Sequence, residues 1–157
     1  MKKEEGSGAS PFQLAEVKLK YKSAKKPSQC PIIKSPEEAA HYLRSIWDME
    51  SIELAEDFMV LLLNASKHCL GWARVSRGGL TATIVDPAAI FRLALLCNSH
   101  SLVVAHNHPS SNPIASQSDI RLTKRLVEAG KLLGITLEDH IILTRYDYTS
   151  LREKGLI

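Results

Sequence analysis

Two histidines separated by one residue, with an aspartate downstream, are the part of this 157-residue sequence best suited to chemistry. His106 and His108 follow an apolar run that is typical of a buried β-strand. Because side chains alternate along a strand, both imidazoles project from one face and can reach a single cation. Asp119 falls in the first turn of the next predicted helix, where the helix dipole favours a carboxylate. Two nitrogens, one oxygen and a fourth position free for water make up a catalytic zinc site, so we expect one Zn2+ per chain.

Each of these residues also has an ordinary structural interpretation. A lone His-x-His pair indicates a metal only weakly. Asp119 alone suits the N-terminus of a helix, and Ser116 alone suits an N-cap. The joint spacing His-x-His-x7-Ser-x2-Asp places four specified residues on a strand end, a loop and a helix start. This joint pattern favours the metal site over the separate structural interpretations.

The elements that must position these residues are predicted from hydrophobic periodicity and from breaker residues. Residues 101–105 predict a buried strand that runs into His106, and Pro109 ends it. Ser116 begins a helix that Gly134 ends, and residues 135–144 predict another strand. A site formed at the end of a buried strand is common in α/β proteins.

The upstream half of the chain predicts the remaining layers of the same domain. Ser35, Pro36 and Glu38 form the capping box of a first helix. Residues 59–63 predict a strand buried on both faces, which returns through a turn to a partner strand at 69–76. A second helix begins at Asp86 and Pro87 and runs to Cys97, and further strands are predicted at 15–22 and 80–85. No internal repeat or second domain is indicated.

Composition excludes several classes of protein. The hydrophobic fraction of 45% and the charged fraction of 24% are ordinary for a globular domain and exclude a disordered, collagen-like or coiled-coil chain. No apolar run approaches the ~18 residues that span a bilayer, and the N-terminus has no secretory signal, so we expect a cytoplasmic protein without membrane contact. Cys30, Cys69 and Cys97 show no C-x-x-C pairing and are expected to be reduced, buried thiols.

The positive charge of the chain is concentrated at one end. The net charge is +3, yet residues 1–30 carry seven lysines and three glutamates, for a net +4. Residues 31–157 carry 13 basic and 14 acidic side chains, for a net −1. A domain that grips a duplex normally has a basic face of its own. Nucleic acid is therefore a candidate partner for the lysine-rich arm rather than for the body.

The joint pattern resembles the JAB/MPN/JAMM metalloprotease superfamily, whose motif is an upstream Glu followed by His-x-His-x7-Ser-x2-Asp. Residues 105–119 look like the RadC branch of that superfamily. Further matches are the segment Asp139-His140 entering the last strand and the tail at 150–156. The resemblance covers roughly residues 35–157.

The resemblance implies a role for each matching residue. His106, His108 and Asp119 would be the zinc ligands. Ser116 would stabilise the charge that develops on the substrate carbonyl oxygen, and Glu56 would be the general base toward the metal-activated water. Spacing leaves Glu53 and Asp57 open as alternatives to Glu56, although Asp57 points to the opposite strand face from Glu56.

The resemblance also implies a fold and a function. We expect one α/β (α+β) domain at residues 35–157, a mixed sheet flanked by helices with a layout like that of cytidine deaminases. A disordered tail at 1–12 and an arm of edge strand and loop at 13–34 would precede it. The implied function is a JAMM-type zinc hydrolase that cleaves an amide or isopeptide bond in a protein or peptide, with an association to DNA repair or mobile elements. Two alternatives are a nucleic-acid-associated RadC protein without peptidase activity and a catalytically silent interaction module.

The sequence departs from the RadC pattern in three places. RadC-like sequences usually have Gly where Ser111 stands and Pro where Ala115 stands. If the loop needs a positive φ at Ser111, serine costs about 1 kcal/mol more than glycine. The helix-hairpin-helix region common in RadC proteins is expected to be absent, because little sequence precedes the first predicted helix at Ser35. Neither the substrate nor the oligomeric state is indicated.

Overall fold

The structure, a computed structural model, describes residues 21–22, 25–78 and 85–157. Within these residues a five-stranded sheet has the order β2-β1-β3-β4-β5. Its strands are β1 (Asp57–Leu63), β2 (Cys69–Arg77), β3 (Ser101–Asn107), β4 (Thr136–Leu143) and β5 (Tyr148–Ser150). β3 and β4 run parallel, whereas the other neighbours are antiparallel, so the sheet is mixed.

In the described ranges, three α-helices begin where the sequence predicts them. They are α1 (Pro36–Ile46), α2 (Pro87–Leu96) and α3 (Gln117–Leu133), and a short 3-10 helix lies at Pro27–Gln29. The capping box of α1 is present: the Ser35 hydroxyl accepts from the Glu38 N–H, and the Glu38 carboxylate accepts from the Ser35 N–H. Gly134 ends α3 with φ 68°, a conformation that glycine adopts without steric cost.

The sheet lies between helical layers, with α1 on one face and α2 and α3 on the other. Leu43 and Trp47 pack with alternate residues of β1 and β3, such as Met59 and Val103. The intervening residues of the same strands pack against α2 and α3 on the opposite face: Phe58, Val60, Leu62, Leu102 and Val104. β1 and β3 are therefore buried along their whole length, which explains their uninterrupted apolar runs. The predicted single α/β domain with a mixed sheet flanked by helices is confirmed.

The structure differs from the sequence predictions at a few places. β5 was not predicted, because its three residues give no local signal and their place is set by pairing with β4. The tail at 1–12 and most of the strands predicted at 15–22 and 80–85 lie outside the described residues; Tyr21, Lys22 and Val85 lie in no strand. The domain boundaries at 13–34 and 35–157 stay predictions.

The three thiols are free, and their burial differs from the expectation. Cys69 is buried, whereas Cys30 and Cys97 are only half-buried, so the prediction of buried thiols is right for Cys69 alone. Partial exposure of the other two follows from their places in a loop and at the C-terminal end of α2. Among the described residues, no helix has both the length and the hydropathy to cross a membrane.

Candidate metal centre

The structure brings His106, His108 and Asp119 together at the end of β3. The two imidazole Nε2 atoms are 2.9 Å apart. Asp119 Oδ1 lies 3.4 Å from His106 Nε2, and Asp119 Oδ2 lies 3.6 Å from His108 Nε2. One possible ligand atom from each residue lies within 4.8 Å of the others, and no second group of this kind occurs in the part of the chain that the structure describes. These three side chains can hold a metal ion.

The other ring nitrogen of each histidine is already engaged. His108 Nδ1–H donates to the carbonyl oxygen of Asn112 at 2.6 Å, which leaves its Nε2 as the lone-pair nitrogen. His106 Nδ1 lies 2.8 Å from Nε2 of His140. Both Nε2 atoms therefore converge with a carboxylate on one point, an arrangement that is favourable around a cation. The donor set fits a metal ion.

The pKa values of the cluster also favour a cation. Burial opposes ionisation of Asp119, but its contacts with His106 and His108 outweigh burial and hold the pKa of that carboxyl well below its usual range. Contact with Asp119 raises the pKa of His108 above its ordinary value, although burial acts against this. The site thus contains a carboxylate that stays ionised at any physiological pH and attracts positive charge.

Helix capping is what orients Asp119. The Ser116 hydroxyl accepts from the Asp119 N–H at 3.2 Å, and Asp119 Oδ2 accepts from the Ser116 N–H at 2.7 Å, so the pair forms the capping box of α3. The Ser116 hydroxyl also donates to Asp119 Oδ2 at 2.6 Å. Ser116 can therefore cap α3 while Asp119 faces the candidate metal site, so the two interpretations are compatible.

Three carboxylates near the start of β1 are candidates for the general base, and they differ in burial and in the partners that they contact. Asp57 is buried, and its Oδ2 lies 3.3 Å from Arg74 Nε while its Oδ1 lies 3.4 Å from Arg77 Nε. Glu53 pairs with Arg145 at 2.9 Å. Glu56 is half-buried, and of the three it is the one whose charge raises the pKa of His108. Strand alternation also places Glu56 on the face of Phe58, whose ring stacks on that of His106. This geometry favours Glu56.

Asn107, between the two histidines, is a residue whose role sequence reasoning missed. Its side chain is fully buried. Its Nδ2 donates to the carbonyl oxygens of Ile52 at 2.6 Å and Ala55 at 2.8 Å, and its Oδ1 accepts from the Asp57 N–H at 2.7 Å. Asn107 therefore fixes the segment that carries Glu56 against the end of β3. A signal was present, since an amide inside a buried strand must find hydrogen-bond partners.

His140 on β4 and Thr123 on α3 were also not assigned a role from the sequence. His140 is fully buried, and burial lowers its pKa well below the ordinary value. Its Nδ1 lies 2.7 Å from Thr123 Oγ1, which donates to the main-chain oxygen of Asp119 at 2.6 Å. Phe58 packs edge-on against the same imidazole. These contacts depend on the pairing of β3 with β4 and on the packing of α3, so no local sequence signal reveals them.

Comparisons with known proteins show what this chain is similar to. The family model described as RadC-like JAB domain matches residues 33–156. A UPF0758 protein from Desulforamulus reducens is 36% identical over 155 residues, which cover 96% of this chain and 67% of that protein. Relatives from Syntrophomonas wolfei and Alkaliphilus metalliredigens are 41% and 42% identical over 80% of this chain, which spans 54% and 53% of their lengths. The chain thus spans about half to two thirds of these relatives.

Proposed function

Since the match over residues 33–156 shows that this chain belongs to the RadC-like JAB domain family, we propose that it is a zinc-dependent hydrolase of the JAMM type that cleaves an amide or isopeptide bond in a protein or peptide. The observation that carries this proposal is the convergence of two imidazole nitrogens and one carboxylate within 4.8 Å at a strand end. Hydrolytic zinc sites use three such ligands and leave a position open.

His106, His108 and Asp119 would hold the zinc ion. When bound, zinc supplies a Lewis acid that polarises a carbonyl group and makes water nucleophilic near neutral pH. Two features of the chain favour binding of this ion. The chain engages Nδ1 of both histidines in hydrogen bonds, and it keeps Asp119 ionised through the capping box and the histidine contacts.

Glu56 would accept the proton of the attacking water and later deliver it to the leaving amine. Support comes from its place directly before β1, on the strand face of His106, and from its electrostatic effect on His108. The backbone around it is held by the hydrogen bonds of Asn107. Glu53 is less suited to this role, because Arg145 already neutralises it.

Ser116 would donate a hydrogen bond to the oxygen of the scissile carbonyl as negative charge develops there. Its hydroxyl donates to Asp119 Oδ2 in this structure, so the proton must turn toward the substrate while the oxygen keeps accepting from the Asp119 N–H. Losing one such donor lowers kcat by about 100-fold to 1,000-fold in other hydrolases.

The proposal is tested by matched variants on a library of peptides and isopeptide-linked conjugates. Glu56→Gln should bind zinc like the wild type but lose about 100-fold to 10,000-fold in turnover, because a positioned base contributes that much. Glu53→Gln serves as the control and should retain activity. Cleavage that persists in Glu56→Gln would contradict the assignment of the base. A zinc-loaded wild type that cleaves no member of the library would contradict the hydrolase proposal and favour an interaction module.

A further inference from the structure

A closed ring of contacts joins two of the proposed zinc ligands, His106 and Asp119, through Thr123 and His140, which are not proposed ligands themselves. It begins at the main-chain oxygen of Asp119, which accepts from Thr123 Oγ1 at 2.6 Å. Thr123 Oγ1 lies 2.7 Å from His140 Nδ1, and His140 Nε2 lies 2.8 Å from His106 Nδ1. The ring closes where His106 Nε2 lies 3.4 Å from the carboxylate of Asp119. Thr123, His140 and His106 are all buried, so the contacts among these three side chains are shielded from solvent.

The positions of the hydrogens in this ring follow from counting donors. The Asp119 carbonyl has no hydrogen, so the single hydroxyl hydrogen of Thr123 points to it. Thr123 Oγ1 can then only accept from His140, which places a hydrogen on His140 Nδ1. A neutral imidazole has one N–H, so His140 Nε2 is an acceptor, and the hydrogen between the two rings belongs to His106 Nδ1.

The neutral form of His140 is supported by its surroundings. The ring is fully buried, and its described hydrogen-bond partners are the hydroxyl of Thr123 and the imidazole of His106. Phe58 covers it edge-on at a centroid distance of 5.6 Å. A charged imidazole is costly in such a place, because no carboxylate among the described residues accepts its hydrogen bonds. His140 therefore carries its one hydrogen on Nδ1, and His106 carries the hydrogen between the two rings on its own Nδ1.

We propose that His140 and Thr123 are positioning residues that hold His106 as the Nδ1–H tautomer, with the Nε2 lone pair directed at the metal site. This inference rests on the proposed function, because it assigns a purpose to contacts behind a zinc ligand. A histidine that ligates a metal usually donates its other N–H to a fixed acceptor, which sets the tautomer and the ring orientation. Here the acceptor is a second histidine, which is itself fixed by Thr123. The ring also anchors the first turn of α3, so both ligands are positioned together.

The test compares two substitutions of one residue. Thr123→Val keeps the shape of the side chain but removes the hydroxyl, whereas Thr123→Ser keeps the hydroxyl. Loss of a contact of this kind typically weakens metal affinity about 10-fold to 100-fold, and we expect that loss for Thr123→Val. Thr123→Ser should bind zinc close to the wild type. The affinity for zinc alone is measured in competition with a chromophoric chelator, and thermal unfolding of the metal-free variants shows whether the fold is intact.

A spectroscopic measurement tests the tautomer directly. In metal-free wild type with 15N-labelled histidine, two-bond 15N–1H correlations at mildly alkaline pH should show His106 with its hydrogen on Nδ1. The hydrogen on Nε2 instead, or a Thr123→Val protein that binds zinc as tightly as Thr123→Ser, would overturn the proposal. The tautomer is read without metal or substrate. A protein that shows the Nδ1–H form but cleaves nothing would therefore refute the hydrolase function and not this positioning role.

Discussion

Replacing Asn107 with alanine should destabilise the fold more than any other change of a single amide in the described residues. The substitution removes two donated hydrogen bonds, to the carbonyl oxygens of Ile52 and Ala55, and one accepted from the Asp57 N–H. All three are short, at 2.6 to 2.8 Å, and the side chain that makes them is fully buried. Alanine leaves these three backbone groups without a partner.

The magnitude follows from the number of groups left unsatisfied. A buried donor or acceptor that loses its partner costs about 1–3 kcal/mol. The Asp57 N–H and the Ile52 carbonyl are in buried contacts and give at least about 2 kcal/mol at the lower end of that range, and the part-buried Ala55 carbonyl adds less. For a chain of this size, 1 kcal/mol corresponds to roughly 2–4 °C, so the midpoint of thermal unfolding should fall by about 4 °C or more.

The assay is urea unfolding followed by circular dichroism, with Asn112→Ala as the matched control. Asn112 is exposed, and within the described part of the chain its side chain accepts one hydrogen bond, from the Ile114 N–H at 3.1 Å. Its loss should cost about 1 kcal/mol or less. If the free energy of unfolding of Asn107→Ala lies within about 1 kcal/mol of that of the wild type, the three hydrogen bonds of Asn107 do not stabilise the fold as argued, and the prediction is wrong.

Three further predictions concern backbone strain, close packing and thiol chemistry. Ser111 has φ 57°, so Ser111→Gly should raise the free energy of unfolding by up to about 1 kcal/mol, whereas Ser110→Gly, at a residue without positive φ, should lower it. Gly130→Ala should destabilise by about 1–3 kcal/mol in urea unfolding, because its methyl group would overlap a carbonyl oxygen just beyond α3. The methyl group added in Gly71→Ala would have no atom within 4 Å outside its own and the adjacent residues, so this substitution should change the free energy of unfolding far less. Burial raises the pKa of Cys69 to about 11, so this thiol should stay unmodified at pH 8 when a thiol reagent is added to folded protein; rapid labelling there would contradict its burial.

Much of the fold was predictable because its signals are local. The capping residues at Ser35 and Asp86, the glycine at 134 and the apolar runs of β1 and β3 each determine their own element. The condition stated for residue 111 is met, since its φ is positive, and the cost of serine there stays a prediction. The three-residue strand β5 could not be predicted, because only its pairing with β4 defines it.

The residues of the candidate site likewise fall into those with a local sequence signal and those defined by tertiary contacts. His106, His108, Ser116 and Asp119 have fixed spacing around one strand end and one helix start, so the sequence alone places them together. The contacts of His140 and Asn107 link segments far apart in the chain. Asn107 reaches back to Ile52, and His140 meets His106 only because β4 pairs with β3. Such partners follow from tertiary packing rather than from periodicity.

Metal content of the purified protein tests the central claim most directly. After equilibration with zinc and removal of free ion, the wild type should retain one zinc per chain by atomic emission. Asp119→Ala should retain none, and Asp119→Asn, which keeps an oxygen for the Ser116 capping contact, should also lose most of it while remaining folded. Stoichiometric zinc in Asp119→Ala, or none in the wild type, would contradict a metal centre formed by His106, His108 and Asp119.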